Sequence, residues 1–199
     1  MFPSRNCFTA STYCVIWSLL SFTKFAKMLS RNNHRSIFVL KCDVKKFFDS
    51  VDHEILMGLM QKKVKDEWAN WLIKKIVDSF NKTPGVGLPI GNVTSQLFAN
   101  IYLDELDRYV KHELRTRHYI RYCDDFVILS NNYDELINLV VGIGEFLKTQ
   151  LGLSLHPDKI IVRKYRRGID FLGYVVRPDC ITLRLKSCVK MTGTFTSTP

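Results

Sequence analysis

Two aspartates stand side by side in a run that otherwise reads as buried β-structure: residues 119–130 are YIRYCDDFVILS. An ion taken out of water costs several kcal/mol unless something compensates it. Asp124 and Asp125 therefore need either a turn that returns them to solvent or a partner that neutralises them. Aspartate suits tight turns because its short side chain bonds nearby backbone. The stretch is thus expected to be a strand, a turn at Cys123-Asp124-Asp125 and a second strand over 126–129. Adjacent aspartates at a turn tip are ordinarily just solvated, so the pair gains meaning only from what else reaches it.

A third carboxylate ends another apolar run, IFVLKCD (37–43), which reads as a buried strand closing on Asp43. Residues 52–64 place Ile55, Leu56, Leu59 and Met60 on one helical face, with Asp52 as N-cap. Residues 68–80 repeat the helical pattern, and KTPGVGLPIGN (82–92) is a loop by its Gly and Pro content. A long helix is expected from Thr94 to about Arg115, another through Leu136–Leu147, and short strands at FLGYVV (171–176) and ITLRL (181–185). The order β-α-α-α-β-β-α-β-β is an α+β layout with an antiparallel hairpin beside the first strand. If those strands are neighbours, Asp43, Asp124 and Asp125 meet at one sheet edge. Their mutual repulsion is relieved when divalent cations sit among them, and two Mg²⁺ roughly 3.5–4 Å apart form the usual phosphoryl-transfer clamp.

The 29 Lys+Arg against 19 Asp+Glu leave a net charge of +10, which points to a polyanionic partner, nucleic acid before membrane. Lys62, Lys63, Lys65, Arg115, Arg117, Arg121, Arg163, Lys164, Arg166 and Arg167 are candidate phosphate contacts. Six cysteines show no metal-binding spacing; Cys42 and Cys123 fall in apolar strands as small core residues, and the set suits a reducing cytoplasm. The apolar stretch from Cys7 to Phe22 is diluted by Ser and Thr and shorter than a membrane span, so it is expected to be a partly buried helix and the protein cytoplasmic.

Five segments in consecutive order now carry a resemblance. KCDVKKFFDSVDH (41–53), GLPIGNVTSQLFANIYLDELD (87–107), YCDD (122–125), LSLHPDK (153–159) and FLGY (171–174) resemble the palm motifs of reverse transcriptases, RNA-directed DNA polymerases. The resemblance covers about residues 35–180. It implies that Asp43, the Val44 carbonyl, Asp124 and Asp125 are ligands of two Mg²⁺ ions. It also implies that the backbone amides of Lys46 and Phe47 face the incoming dNTP, and that Phe48 sits beneath the sugar and excludes a 2′-hydroxyl. Strand alternation would turn Phe47 and Phe48 to opposite faces, leaving at most one in the site. Ile90, Gly91, Gln96 and Tyr122 join the nucleotide-binding set by the same resemblance. Lys159 aligns with the lysine that protonates the leaving pyrophosphate. Phe171, Leu172, Gly173 and Tyr174 resemble the primer grip, Gly173 serving either a close backbone approach or a bulge.

The loop before the long helix subdivides the family. Most reverse transcriptases, group II intron and retron enzymes included, carry a QGxxxSP pattern there. This chain has IGxxxSQ, Ile90 to Gln96, which resembles the enzymes of diversity-generating retroelements. Ile90 cannot hydrogen-bond where the common glutamine touches the nucleotide, so error-prone copying is implied, above all opposite template adenine. The implied partners are an RNA template, a DNA or RNA primer, dNTPs and a small basic accessory protein, with no membrane. The alternatives are a group II intron- or retron-type enzyme, and an inactive RNA-binding palm.

The expected organisation is a helical remnant of the fingers (1–34), the palm (35–180) and a C-terminal stub (181–199). Only 42 residues precede Asp43 and 25 follow Tyr174, which leaves no room for complete fingers or a helical thumb. The fold class expected is a reverse-transcriptase palm, an antiparallel sheet with helices on one face.

Overall fold

The structure is a computed structural model that describes residues 12–184; expectations placed on residues 1–11 and 185–199 lie outside it. Its centre is a four-stranded sheet in the order β2-β3-β1-β4, from β1 (Phe38–Asp43), β2 (Tyr119–Tyr122), β3 (Asp125–Ser130) and β4 (Ile161–Lys164). All its pairings are antiparallel. β1 lies between β3 and β4, so it is covered on both edges as well as both faces. That explains its nearly unbroken apolar sequence.

Alternation along β1 and β3 separates two cores. Leu40 and Cys42 point with Phe126 and Ile128 to one face, onto α3 (His53–Lys63), α5 (Val93–Arg108) and α6 (Tyr133–Leu151). Val39 points with Val127 and Leu129 to the other, onto Leu19, Phe22 and Ala26 of α1 (Thr12–Ser30). The helices expected on one face are there, and the second face is covered too. The core on that face also takes in a three-stranded sheet of β5 (Ile169–Phe171), β6 (Tyr174–Val176) and β7 (Ile181–Leu183), through Ile169, Phe171 and Val176. The stretch 171–176 was expected as one strand and is two. Leu172 and Gly173 sit at φ 54° and 83°, the two left-handed residues that a tight right-twisted hairpin needs.

Local chemistry explains the helix ends. The Asp52 carboxylate accepts from the amides of Glu54 and Ile55 and starts α3 as expected, while Asp66 caps α4 (Glu67–Asp78) in the same way. The long helix ends earlier than expected. After Arg108 it widens into a π-helical turn over Tyr109–Glu113, where the Tyr109 ring stacks on Phe146 at 4.1 Å. Cys42 is fully buried as expected, its thiol pushed up to about 12 by burial. Cys123 is half-buried and lies in the turn, not in a strand. Among the described residues Cys42, Cys123 and Cys180 are free thiols, and Cys14 is disulfide-bonded. Among the described residues no helix is long and apolar enough to cross a membrane.

The fully buried Tyr102 ties three elements together: its hydroxyl donates to the Leu151 carbonyl at 2.7 Å and accepts from the Asp52 amide at 3.4 Å. Tyr102→Phe leaves a buried carbonyl unpaired and is expected to cost about 1–2 kcal/mol in a denaturant titration. A second expectation concerns His118, whose ring meets Phe25 edge-on at 5.4 Å. Burial, with Arg117 adding to it, lowers its pKa. Below about pH 6.5 the unfolded chain takes up a proton that the folded chain resists, so stability falls as pH drops toward the lowered folded value. The loss should vanish in His118→Gln when melts are compared across that range.

Candidate active site

The register of β1 and β3 places Asp43 directly opposite Asp125, and paired residues of an antiparallel ladder share a face. Lys41, two residues back on β1, shares it as well. The turn Cys123-Asp124 closes the β2–β3 hairpin, and the Val44 amide donates to the Asp124 carbonyl at 3.2 Å. Asp43, Asp124 and Asp125 are thus neighbours at one end of the sheet. Beyond Asp43 the chain stays locked. The Leu155 segment bridges Val44, with the His156 amide donating to the Asp43 carbonyl at 2.8 Å and the Lys45 amide to Ser154 at 2.8 Å.

Two facing carboxylates destabilise a ladder, and here two lysines offset them. Lys159, on a 3₁₀ turn (Pro157–Lys159), donates from Nζ to Asp43 Oδ2 at 2.7 Å. Lys41 Nζ lies 3.6 Å from Asp125 Oδ1. The protein therefore supplies part of the compensation that the sequence assigned to Mg²⁺ alone. Burial raises the pKa of Asp124, with Asp43 adding to the shift; burial also raises that of Asp125, against the pull of Lys41. The hydrogen bond to Asp43 holds Lys159 above the usual lysine range.

The donor set suits a hard divalent cation: three carboxylates and the adjoining Val44 carbonyl are all oxygen ligands. Asp125 Oδ1 is buried and makes no hydrogen bond, with the Lys41 ammonium 3.6 Å away as its charge partner. Among the described residues no three acidic, His or Cys side chains are gathered tightly enough to hold a metal ion, and the Asp43 carboxylate is engaged by Lys159.

The remaining candidates spread around this edge. Lys46 is exposed, in the left-handed region at φ 45°, and caps α2 (Phe47–Ser50). Phe47 and Phe48 open that helical turn, so strand alternation does not apply to them. Phe47 is buried against Tyr102, while Phe48 is half-buried with its ring 5.3 Å from Phe47. Ile90 is 79% exposed, and Gly91 lies beside it at φ 91° with open space where a Cβ would be. Gln96 is half-buried in the first turns of α5. Tyr122 pairs with Asp125 and packs against the second core, as do Leu172 and Tyr174 of the β5–β6 hairpin. Phe171 is buried in that core, and Gly173 is required by the hairpin turn itself.

Sequence reading missed three contributors. Lys41 is one. Buried His53 is another: its Nε2 meets the Gly87 carbonyl at 2.7 Å, and with Gly87 N to Val51 O at 2.8 Å it straps the 82–92 loop to α3. The third is Arg121, expected among the phosphate contacts but buried and ion-paired with Asp107 at 2.7 Å. Lys63 is likewise paired, with Asp104. The signal available was that Lys41 sits two residues before Asp43, on the same strand face, and Arg121 two residues before the turn at Cys123.

Residues 8–176 match the family described as reverse transcriptase (RNA-dependent DNA polymerase). The chain is 24% identical over 200 residues to the putative COX1/OXI3 intron 2 protein of Saccharomyces cerevisiae, covering 69% of this chain and 23% of that protein. It is 33% identical over 115 residues to the group II intron-encoded protein LtrA of Lactococcus lactis, covering 54% of this chain and 16% of that one. The chain thus spans under a quarter of the length of either relative. Its fold is similar to that of apo telomerase from Candida tropicalis, with a TM-score of 0.66 at 15% identity over 88% of this chain and 40% of that one.

Lys41→Met removes the ion-pair partner of a partly buried carboxylate and is expected to cost about 1–2 kcal/mol in metal-free buffer. Lys41→Met combined with Asp125→Asn should recover most of that loss, as read from a double-mutant cycle of denaturation free energies.

Proposed function

Because the chain belongs to the reverse transcriptase family, we propose that it is the palm of an RNA-directed DNA polymerase, extending a DNA or RNA primer with dNTPs on an RNA template in the cytoplasm. The observation that carries this is Asp43 paired across the ladder with Asp125, with Asp124 in the adjoining turn. In this reading Asp43, Asp124, Asp125 and the Val44 carbonyl hold two Mg²⁺ ions. When bound, these supply activation of the primer 3′-hydroxyl and charge stabilisation at the leaving pyrophosphate. Lys159, kept protonated by Asp43, carries the proton that the pyrophosphate takes up. The Lys46 and Phe47 amides face the triphosphate, Phe48 supports the sugar and excludes a 2′-hydroxyl, and Tyr122 with the 171–174 hairpin positions the primer end.

We assign the chain to the diversity-generating type on the exposed Ile90 and the IGxxxSQ loop, with a small basic accessory protein as partner. A polar contact that reports pairing geometry is absent at Ile90, so discrimination between bases is weak. A group II intron-type enzyme is the second reading, favoured by the 33% identity to an intron-encoded protein. The two readings differ in their errors. The first expects misincorporation concentrated opposite template adenine, the second an even spectrum.

Primer extension on an RNA template with Mg²⁺ and dNTPs should yield cDNA, and Asp124→Asn should lower the rate by roughly 10²–10³-fold or more. Product from Asp124→Asn at the wild-type rate would sink the assignment. Ile90→Gln should reduce errors opposite adenine by up to roughly tenfold when the cDNA is sequenced; an unchanged spectrum favours the group II reading.

A further inference from the structure

Cys123, the residue before the paired aspartates, is not glycine yet sits at φ 52°. A side chain in the left-handed region is strained and persists only where its surroundings over-determine it. Arg121 supplies that determination. Its guanidinium forms a bidentate pair with Asp107, Nε to Oδ1 at 2.8 Å and Nη2 to Oδ2 at 2.7 Å. Nη1 donates to the Cys123 carbonyl at 3.0 Å and to Asn100 Oδ1 at 3.5 Å. The Tyr119 hydroxyl donates to the same Asp107 at 2.7 Å. The Arg121 side chain is only 8% exposed. Burial alone would weaken its charge, but the Asp107 carboxylate more than offsets this and keeps the guanidinium protonated.

The Cys123 carbonyl belongs to the peptide that joins Cys123 to Asp124. That unit is planar, so fixing the oxygen fixes the plane from which the Asp124 Cα emerges. The next peptide is fixed from the other side by the Val44 amide on the Asp124 carbonyl. Asp124 is therefore bracketed: Arg121 orients the peptide before it and β1 the peptide after it. Asp107 and Asn100 both lie on α5, the helix that begins just after the Ile90 loop. One guanidinium thus links the nucleotide-side helix to the acidic turn, through a rigid fork that lysine cannot reproduce.

We propose that Arg121, held by Asp107, is the positioning residue that aims the Asp124 carboxylate. The proposal rests on the polymerase reading for its kinetic consequence but not for its geometric one. In Arg121→Lys, primer extension should fall in kcat by roughly 10–10²-fold, with the KM for dNTP within about twofold, as expected when a reacting group is misplaced by about 1 Å. Mn²⁺ binding, followed by paramagnetic resonance of the free ion, should weaken about tenfold. Alkylation of the partly exposed Cys123 thiol, mapped by peptide mass, should accelerate at least threefold as the turn loosens.

Tyr109→Leu, which removes the distant stack on Phe146, controls for general loss of stability and should leave all three readouts near wild type. Asp107→Asn is the second variant should Arg121→Lys not fold, and it should shift the three readouts in the same direction. Unchanged Mn²⁺ affinity and thiol reactivity in the variant that folds would overturn the proposal, as would shifts no larger than those of Tyr109→Leu. If the wild-type chain makes no cDNA while thiol reactivity still responds to Arg121→Lys, the positioning role stands and the polymerase reading falls.

Discussion

The register between β1 and β3 is the constraint on which the site depends. Side chains alternate along a strand, so a slip of one residue would move Asp43 from the acidic edge into the apolar core and carry Cys42 the other way. Register is held because both faces of β1 are buried. Leu40 and Cys42 must meet the helices, and Val39 must meet α1. The hydrophobic cores on the two faces thus hold the carboxylates opposite one another, and repulsion between the acids is borne by packing energy elsewhere.

Around that edge the charges are arranged in two layers. Lys41 and Lys159 touch the acids themselves. Behind them the buried Arg121–Asp107 pair meets the turn through its backbone, at the Cys123 carbonyl. The first layer lowers the cost of holding three carboxylates together. The second works through peptide planarity and so governs direction, while the Arg121 charge also favours the ionised Asp124. Burial weakens the charged form of Asp124 and Asp125.

Most elements were readable in advance, because strong local signals and tertiary structure agreed: Asp52 capping α3, the Gly- and Pro-rich loop, and the amphipathic period of α6. The failures have identifiable causes. The Leu172-Gly173 turn hid inside an apolar run because Leu172 adopts a left-handed backbone that leucine rarely takes. Phe47 and Phe48 were assigned strand geometry although the chain turns helical at Lys46. The long helix widened at Tyr109, where an aromatic contact from α6 intervenes. Arg121 was read as a surface charge because a lone arginine in a strand carries no mark of its burial, and Asp107 lies fourteen residues away.

Sequence alone determined the inventory: which residues are acidic, the order of the motifs, the isoleucine where relatives of the common pattern carry glutamine, and the family. Those are properties of residue type and spacing, which survive without coordinates. Tertiary structure decided which charges face each other and that two lysines sit against the carboxylates. Such outcomes depend on distances of a few ångströms between segments remote along the chain, where strand register and side-chain burial set the energy and local sequence does not.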